Sequence, residues 1–188
     1  MAQSENNDCL CIPFDGGELR VAFELGGDCY EHEVALIAND KRVQLLSSQV
    51  PTENRDWPAS PPAQQLTIDS QPDGNVSLLV GQAGRSHWSA SVSADQKTGS
   101  LTFDVACRVK GSPTFLGSAY QLGEEAVWSE SSHCVAATVD SVLIVVQAES
   151  PETACTINDG LLRITPTWQP QPKPHTVCWK YTIELAVR

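Results

Sequence analysis

The sequence predicts an all-β fold, a single-domain antiparallel β-sandwich of about ten to twelve strands. Three observations carry this expectation. Apolar residues recur with a period of two along much of the chain. Turn signals of the Asn-Asp, Asp-Gly and Pro-Asp-Gly kind separate these runs. No window of about 11 residues shows a helical period. A closed barrel and a broad two-sheet supersandwich, as in mutarotase-like sugar binders, are the alternatives that strand count and length allow.

Residues 1–8, Met-Ala-Gln-Ser-Glu-Asn-Asn-Asp, are polar and read as a flexible tail. Leu19, Val21, Phe23 and Leu25 then alternate with Glu18, Arg20, Ala22 and Glu24, as in a half-buried strand. Gly26-Gly27 breaks the run, and alternation resumes over 29–38. Asn39-Asp40 suits a two-residue hairpin turn, with a returning strand over 41–48. Residues 50–63 hold Pro51, Pro58, Pro61 and Pro62, cannot continue a ladder, and predict a long surface loop.

Strands restart over 65–69 and 75–80, separated by Pro72-Asp73-Gly74. The clearest hairpin follows. Trp88, Ala90 and Val92 form one apolar stripe, and Leu101, Phe103, Val105, Cys107 and Val109 form its partner. Residues 111–123 read as loop-rich and 126–130 as a short strand. The β-branched run 133–148 is one bent strand or two. Strands over 153–157 and 161–165 flank Asn158-Asp159-Gly160. A second proline-rich loop, 166–174, precedes the stripe Trp179, Tyr181, Ile183, Leu185 and Val187.

The 188 residues, 41% of them hydrophobic, suffice for a sizeable core without metal or disulfide support. Twelve Lys and Arg against 23 Asp and Glu give a formal net charge of -11. That balance, with no basic run, argues against nucleic acid and against an anionic membrane surface as partners. No stretch approaches the roughly 18 apolar residues of a membrane span. The polar N-terminus has no secretory signal pattern, so a cytoplasmic location is expected. Seven cysteines, an odd number without any Cys-x-x-Cys pair, are expected to be reduced thiols.

Phosphate-loop, dinucleotide, lipase-elbow and zincin motifs are all missing, and no cofactor is expected. His32 lies between Glu31 and Glu33, points away from both in a strand, and reads as a surface residue. Arg85 and His87 share a polar strand face if the strand starts there, a pairing suited to a carboxylate or phosphate. His133 adjoins Cys134 but faces the opposite side. A metal centre needs about three converging ligands, which the sequence does not bring together, so none is expected. Trp57 and Trp168 sit in the two proline-rich loops, where an indole can stack on a sugar or meet a protein. Trp128 joins Arg85, His87 and His133 as a further candidate for one shared pocket.

The leading functional reading is a non-catalytic binding or interaction domain for a carbohydrate or protein ligand. The alternatives are an enzyme acting on a sugar or small polar metabolite, and a structural or assembly protein.

Overall fold

Short antiparallel strands joined by tight turns build two sheets. The computed structural model describes residues 8–49, 54–71, 74–131 and 134–186. Its strands are β1 (Cys9–Phe14), β2 (Gly17–Gly26), β3 (Cys29–Ala38), β4 (Lys41–Ser48) and β5 (Gln65–Gln71). They continue with β6 (Gly74–Ala83), β7 (Ser86–Asp95), β8 (Ser100–Val109), β9 (Ser118–Leu122) and β10 (Val127–Glu130). The last five are β11 (Cys134–Val139), β12 (Val142–Ala148), β13 (Thr153–Asn158), β14 (Leu161–Pro166) and β15 (His175–Ala186). The first sheet has seven strands in the order β1-β2-β3-β4-β9-β14-β13. The second has eight, in the order β10-β11-β12-β15-β8-β7-β6-β5. Each sheet ends in two different edge strands, so the architecture is an open sandwich and not a barrel. In breadth the sheets match the supersandwich alternative. No helix is long and apolar enough to cross a membrane among the described residues.

Turn chemistry sets the register. Asn39 and Asp40 both adopt positive φ, 51° and 60°, the type I′ geometry that matches strand twist. Asp159 and Gly160, at 52° and 73°, repeat it between β13 and β14. The β-branched run over 133–148 divides at Asp140, also at positive φ, into β11 and β12.

The fifteen strands exceed the expected ten to twelve. The excess comes partly from short segments. β1 has only Leu10 and Ile12 as an inner stripe, and β9 lies between glycines where a loop was expected. β2 corrects a smaller point. Leu25, read as the end of an inner stripe, is 56% exposed beside the Gly26–Cys29 hairpin end.

The core fills the space between the sheets. Leu19, Val21 and Phe23 from β2 face Trp88, Phe103 and Trp179 from β7, β8 and β15 in one buried cluster. Trp88 and Trp179 meet edge to face at 5.9 Å, and Phe103 stacks on Tyr181 at 4.9 Å. Ring pairs of this kind add about 0.5–1.5 kcal/mol each beyond the area they bury.

Residues 54–63 depart from expectation. They form a strap pressed into the edge of the sandwich, with Pro58, Ser60, Pro62 and Ala63 buried. The Ala119 amide donates to the Ala59 carbonyl at 2.9 Å, and Ser60 Oγ returns a bond to the Ala119 carbonyl at 2.7 Å. The Tyr30 amide donates to the Ala63 carbonyl, and Gln64 donates to the Val80 carbonyl. The strap therefore joins β3 and β9 of one sheet to β6 of the other. Proline suits this edge because it brings no amide that needs a partner. Positions 50–53 and the tail over 1–7 lie outside the described residues, while the Asp8 carbonyl already accepts from the Phe23 amide.

Gly81 permits the strap to close. A Cβ at this position would sit 1.6 Å from the Pro62 carbonyl oxygen. Gly81→Ala is expected to destabilise the protein by about 1–3 kcal/mol, the usual cost of overpacking. Urea unfolding measures this, and a change below about 0.5 kcal/mol, the level of a neutral surface substitution, would contradict the close approach.

Candidate functional site

Two places in this fold gather polar side chains, and they differ in kind. The first is a chain of hydrogen bonds between the sheets. His32 on β3 does point away from Glu31 and Glu33, but toward the interior and not the surface. It is the cross-strand partner of Phe23, and its ring lies 5.9, 5.7 and 5.3 Å from those of Phe23, Phe103 and Tyr120. The residue keeps some exposure, while the imidazole itself is enclosed.

His32 Nε2 is 2.8 Å from the Tyr120 hydroxyl, which is hydrogen-bonded to the Tyr181 hydroxyl. Tyr181 is bonded in turn to Ser118, and Trp179 Nε1 donates to Ser118 Oγ at 3.0 Å. An indole N–H can only donate. The network is satisfied by a donor order that runs Trp179 to Ser118 to Tyr181 to Tyr120 to His32. In that order His32 Nε2 accepts and its neutral ring carries the proton on Nδ1.

Burial explains how these groups titrate. It lowers the His32 imidazole to about 4. It raises Tyr120 well above the ordinary phenol, with Tyr181 adding to the shift, and it raises Tyr181 likewise. Burial also pushes the Cys107 thiol up to about 12 and Cys155 up to about 11. None of these groups is poised to exchange a proton or attack an electrophile near neutral pH. The space beside the chain, lined in part by Trp88 and Phe103, is about 30 Å³, room for water and little more. This place holds the sheets together and is not an open site.

The second place is a cleft of about 320 Å³ where the β6–β7 turn, the segment after β8 and the loop before β15 meet. Gly84, at φ 53°, and Arg85 form the two-residue turn between β6 and β7. The Lys110 amide donates to Ser86 Oγ at 3.0 Å, which fixes the 110–112 segment against the start of β7. His175 opens β15 opposite Val109. Arg85, Lys110, Ser112, Lys173 and His175 line the cleft.

Arg85, Lys110 and Lys173 form no ion pair with a described carboxylate, in contrast to Lys41, Arg42 and Lys180. His175 Nδ1 faces the Lys173 carbonyl at 3.4 Å, and its shielded Nε2 has no partner among the described residues. Two strap residues flank the cleft. The Asp56 carboxylate lies against Gly84, and the Trp57 ring lies 3.5 Å from the point where a Cβ on Gly111 would sit.

The expected site residues separate accordingly. Arg85 lines the cleft and Trp57 borders it. Trp168 belongs to the loop that also supplies Gln171 and Lys173, and both indoles are half-buried against the core. β7 begins at Ser86, so Arg85 lies in the turn and does not share a strand face with His87. His87 is exposed on the outer face, opposite Arg108. Trp128 sits on edge strand β10, with four strands between it and β7, and its Nε1 donates to the Gly123 carbonyl at 3.1 Å. Arg85, His87 and Trp128 thus do not share one pocket, and His133 lies outside the described residues. Among the described residues no three His, Cys, Asp or Glu side chains could hold a metal ion. Lys110, Lys173 and His175 went unnoticed as a group because the cleft joins three distant segments.

The polar chain makes the fold sensitive to acid. The His32 imidazole is lowered from 6.5 to about 4, so between these values the unfolded chain binds the extra proton. Its contribution is complete above pH 6.5 and declines as pH falls, by roughly 3 kcal/mol below about pH 4. His32→Gln keeps an acceptor for Tyr120 and does not titrate. Urea unfolding across this pH range should show a flatter stability profile for that variant. An unchanged acid slope would remove His32 as its cause.

Compared with known proteins, the chain matches no family model and no curated protein sequence.

Proposed function

We propose that this protein is a non-catalytic binding domain whose ligand is a small, polar, anionic molecule held in the cleft at Arg85, Lys110 and Lys173. The observation that carries this reading is the convergence of three cations, none paired with a described carboxylate, in a chain of net charge -11. Among the described residues Arg20, Lys41, Arg42 and Lys180 are paired with carboxylates. Three left facing one cleft repel one another, and an anion between them relieves that repulsion. Ser112 adds a hydroxyl and Trp57 an apolar border. The cleft volume stands at the lower end of small-molecule sites, roughly 300–1,000 Å³.

A binding role is favoured over catalysis because the buried groups with shifted titration are all held neutral around pH 7. An enzyme acting on a sugar or small polar metabolite would need an acid or base in the cleft, and no carboxylate lines it. The free state of the seven cysteines suits a reducing, cytoplasmic setting.

Thermal unfolding of the full chain with inorganic phosphate or succinate, at constant ionic strength set with sodium chloride, tests the reading. An anion near 100 times its Kd adds about 2.7 kcal/mol. For a chain of this length that raises Tm by about 5–10 °C. The double variant Arg85→Gln, Lys173→Gln should fold and lose the shift. No saturable shift with either anion would overturn the proposal.

A further inference from the structure

The geometry points to a dianionic phosphate, carried by a phosphate monoester or free in solution, as the group this cleft selects over a carboxylate. The inference rests on the anion-binding reading and narrows it. Its first support is the kind of cation present. A planar carboxylate is matched best by the fork of a guanidinium, whereas an ammonium is a point charge without a preferred plane. Two of the three unpaired cations here are lysines.

Direction is the second support. Arg85 comes from the β6–β7 turn, Lys110 from the segment after β8, and Lys173 from the loop before β15. Charges converging from three separate segments suit a tetrahedral group, whose three terminal oxygens point apart. A carboxylate offers two oxygens in one plane and leaves one cation without a partner.

Charge count is the third support. One carboxylate among three cations leaves the cleft about two charges positive, and a phosphate dianion leaves it about one. Dicarboxylates supply the same total charge but spread it over two separated groups. Asp56 lies on the strap side against Gly84 and forms no ion pair with Arg85. Gly111, at φ 140° and without a side chain, lets the Trp57 ring lie close against the wall beside Ser112. The cleft, at about 320 Å³, is larger than a phosphate alone requires, so a small organic part can enter with it.

Calorimetric titration of the full chain at fixed ionic strength, with inorganic phosphate, glycerol 2-phosphate, succinate and acetate as probes, tests this. Both phosphates are expected to bind at least roughly tenfold tighter than succinate, and acetate weakest, as charge-assisted recognition predicts. Lys110→Gln and Lys173→Gln should each weaken phosphate binding by roughly fivefold or more, with amide spectra showing that the variants stay folded. Glycerol 2-phosphate exceeding inorganic phosphate would identify the monoester as the source, and the reverse would identify free phosphate. Either order supports the phosphate assignment. Succinate equalling or exceeding both phosphates would overturn it while leaving the anion-binding reading in place. No binding of any of the four would overturn both.

Discussion

The hydrogen-bond chain from Trp179 to His32 is the constraint on which the rest of this structure depends. It begins and turns on β15, at Trp179 and Tyr181, and passes through Ser118 and Tyr120 of β9 before ending at His32 of β3. Its first four members thus alternate between the two sheets, and its last step, from Tyr120 to His32, stays within the first. Hydrophobic burial brings the sheets together but is tolerant of sliding, since one apolar contact can replace another. A chain of directional bonds is not tolerant. Each hydroxyl must both give and receive, and a displaced member leaves a neighbour buried without a partner, at about 1–3 kcal/mol. The chain therefore fixes how one sheet lies over the other. Phe103 stacked on Tyr181 and Trp88 against Trp179 hold the rings from the sides.

That alignment has consequences at the edge of the sandwich. β9 belongs to the first sheet through β4 and β14, and its Ala119 holds the strap through both its amide and its carbonyl. The strap crosses to β6 at Gly81 and carries Asp56 and Trp57 to the β6–β7 turn and the 110–112 segment. β15 joins the interior to the cleft more directly. Tyr181 and Trp179 sit in the polar chain, and His175 at the start of the same strand lines the cleft. A rigid strand with one end in the core and the other at a loop cluster is a usual way to position a binding site.

Much of the fold was legible in the sequence. The period-two stripes from Trp88 to Val109 and from Trp179 to Leu185 are strands with the expected inner faces, and the Asn39-Asp40 and Asp159-Gly160 turns lie where the residues placed them. The exceptions have physical causes. β9 was hidden because five residues between loops give too short a pattern, although Tyr120 is among the most buried side chains. The strap was misread because proline rules out ladder pairing but says nothing about burial. His32 was misread because alternation shows that it opposes its glutamates and cannot show which side holds the core. Its neighbours Glu31 and Glu33 are charged and outward, so the alternation already carried the answer once Phe23 was known to face inward. Of the cleft, the sequence showed Arg85 and the two loop tryptophans. It could not show Lys110, Lys173 and His175 converging, because nothing local records that the ends of β8 and β14 lead to the same corner.

The division between a closed interior and a cationic corner lets the proposed anion site exist on an acidic protein. A net charge of -11 sets a field that opposes the approach of any anion from solution. That field is screened beyond about 8 Å at physiological salt, so a distant carboxylate matters little and an adjacent one matters greatly. An anion is then favoured where acidic groups stay away from the cleft over that short range, a condition that Asp56, against Gly84 on the strap side, does not meet. Sheet-borne acids meet this requirement. Glu18 and Glu33 are on the first sheet, occupied by Arg20 and Arg42, and Glu149 is occupied by Lys180. Arg85, Lys110 and Lys173 line the cleft together, and no carboxylate lines it beside them. The net charge acts over the whole surface, while the character of the proposed site is set by the local arrangement at one corner.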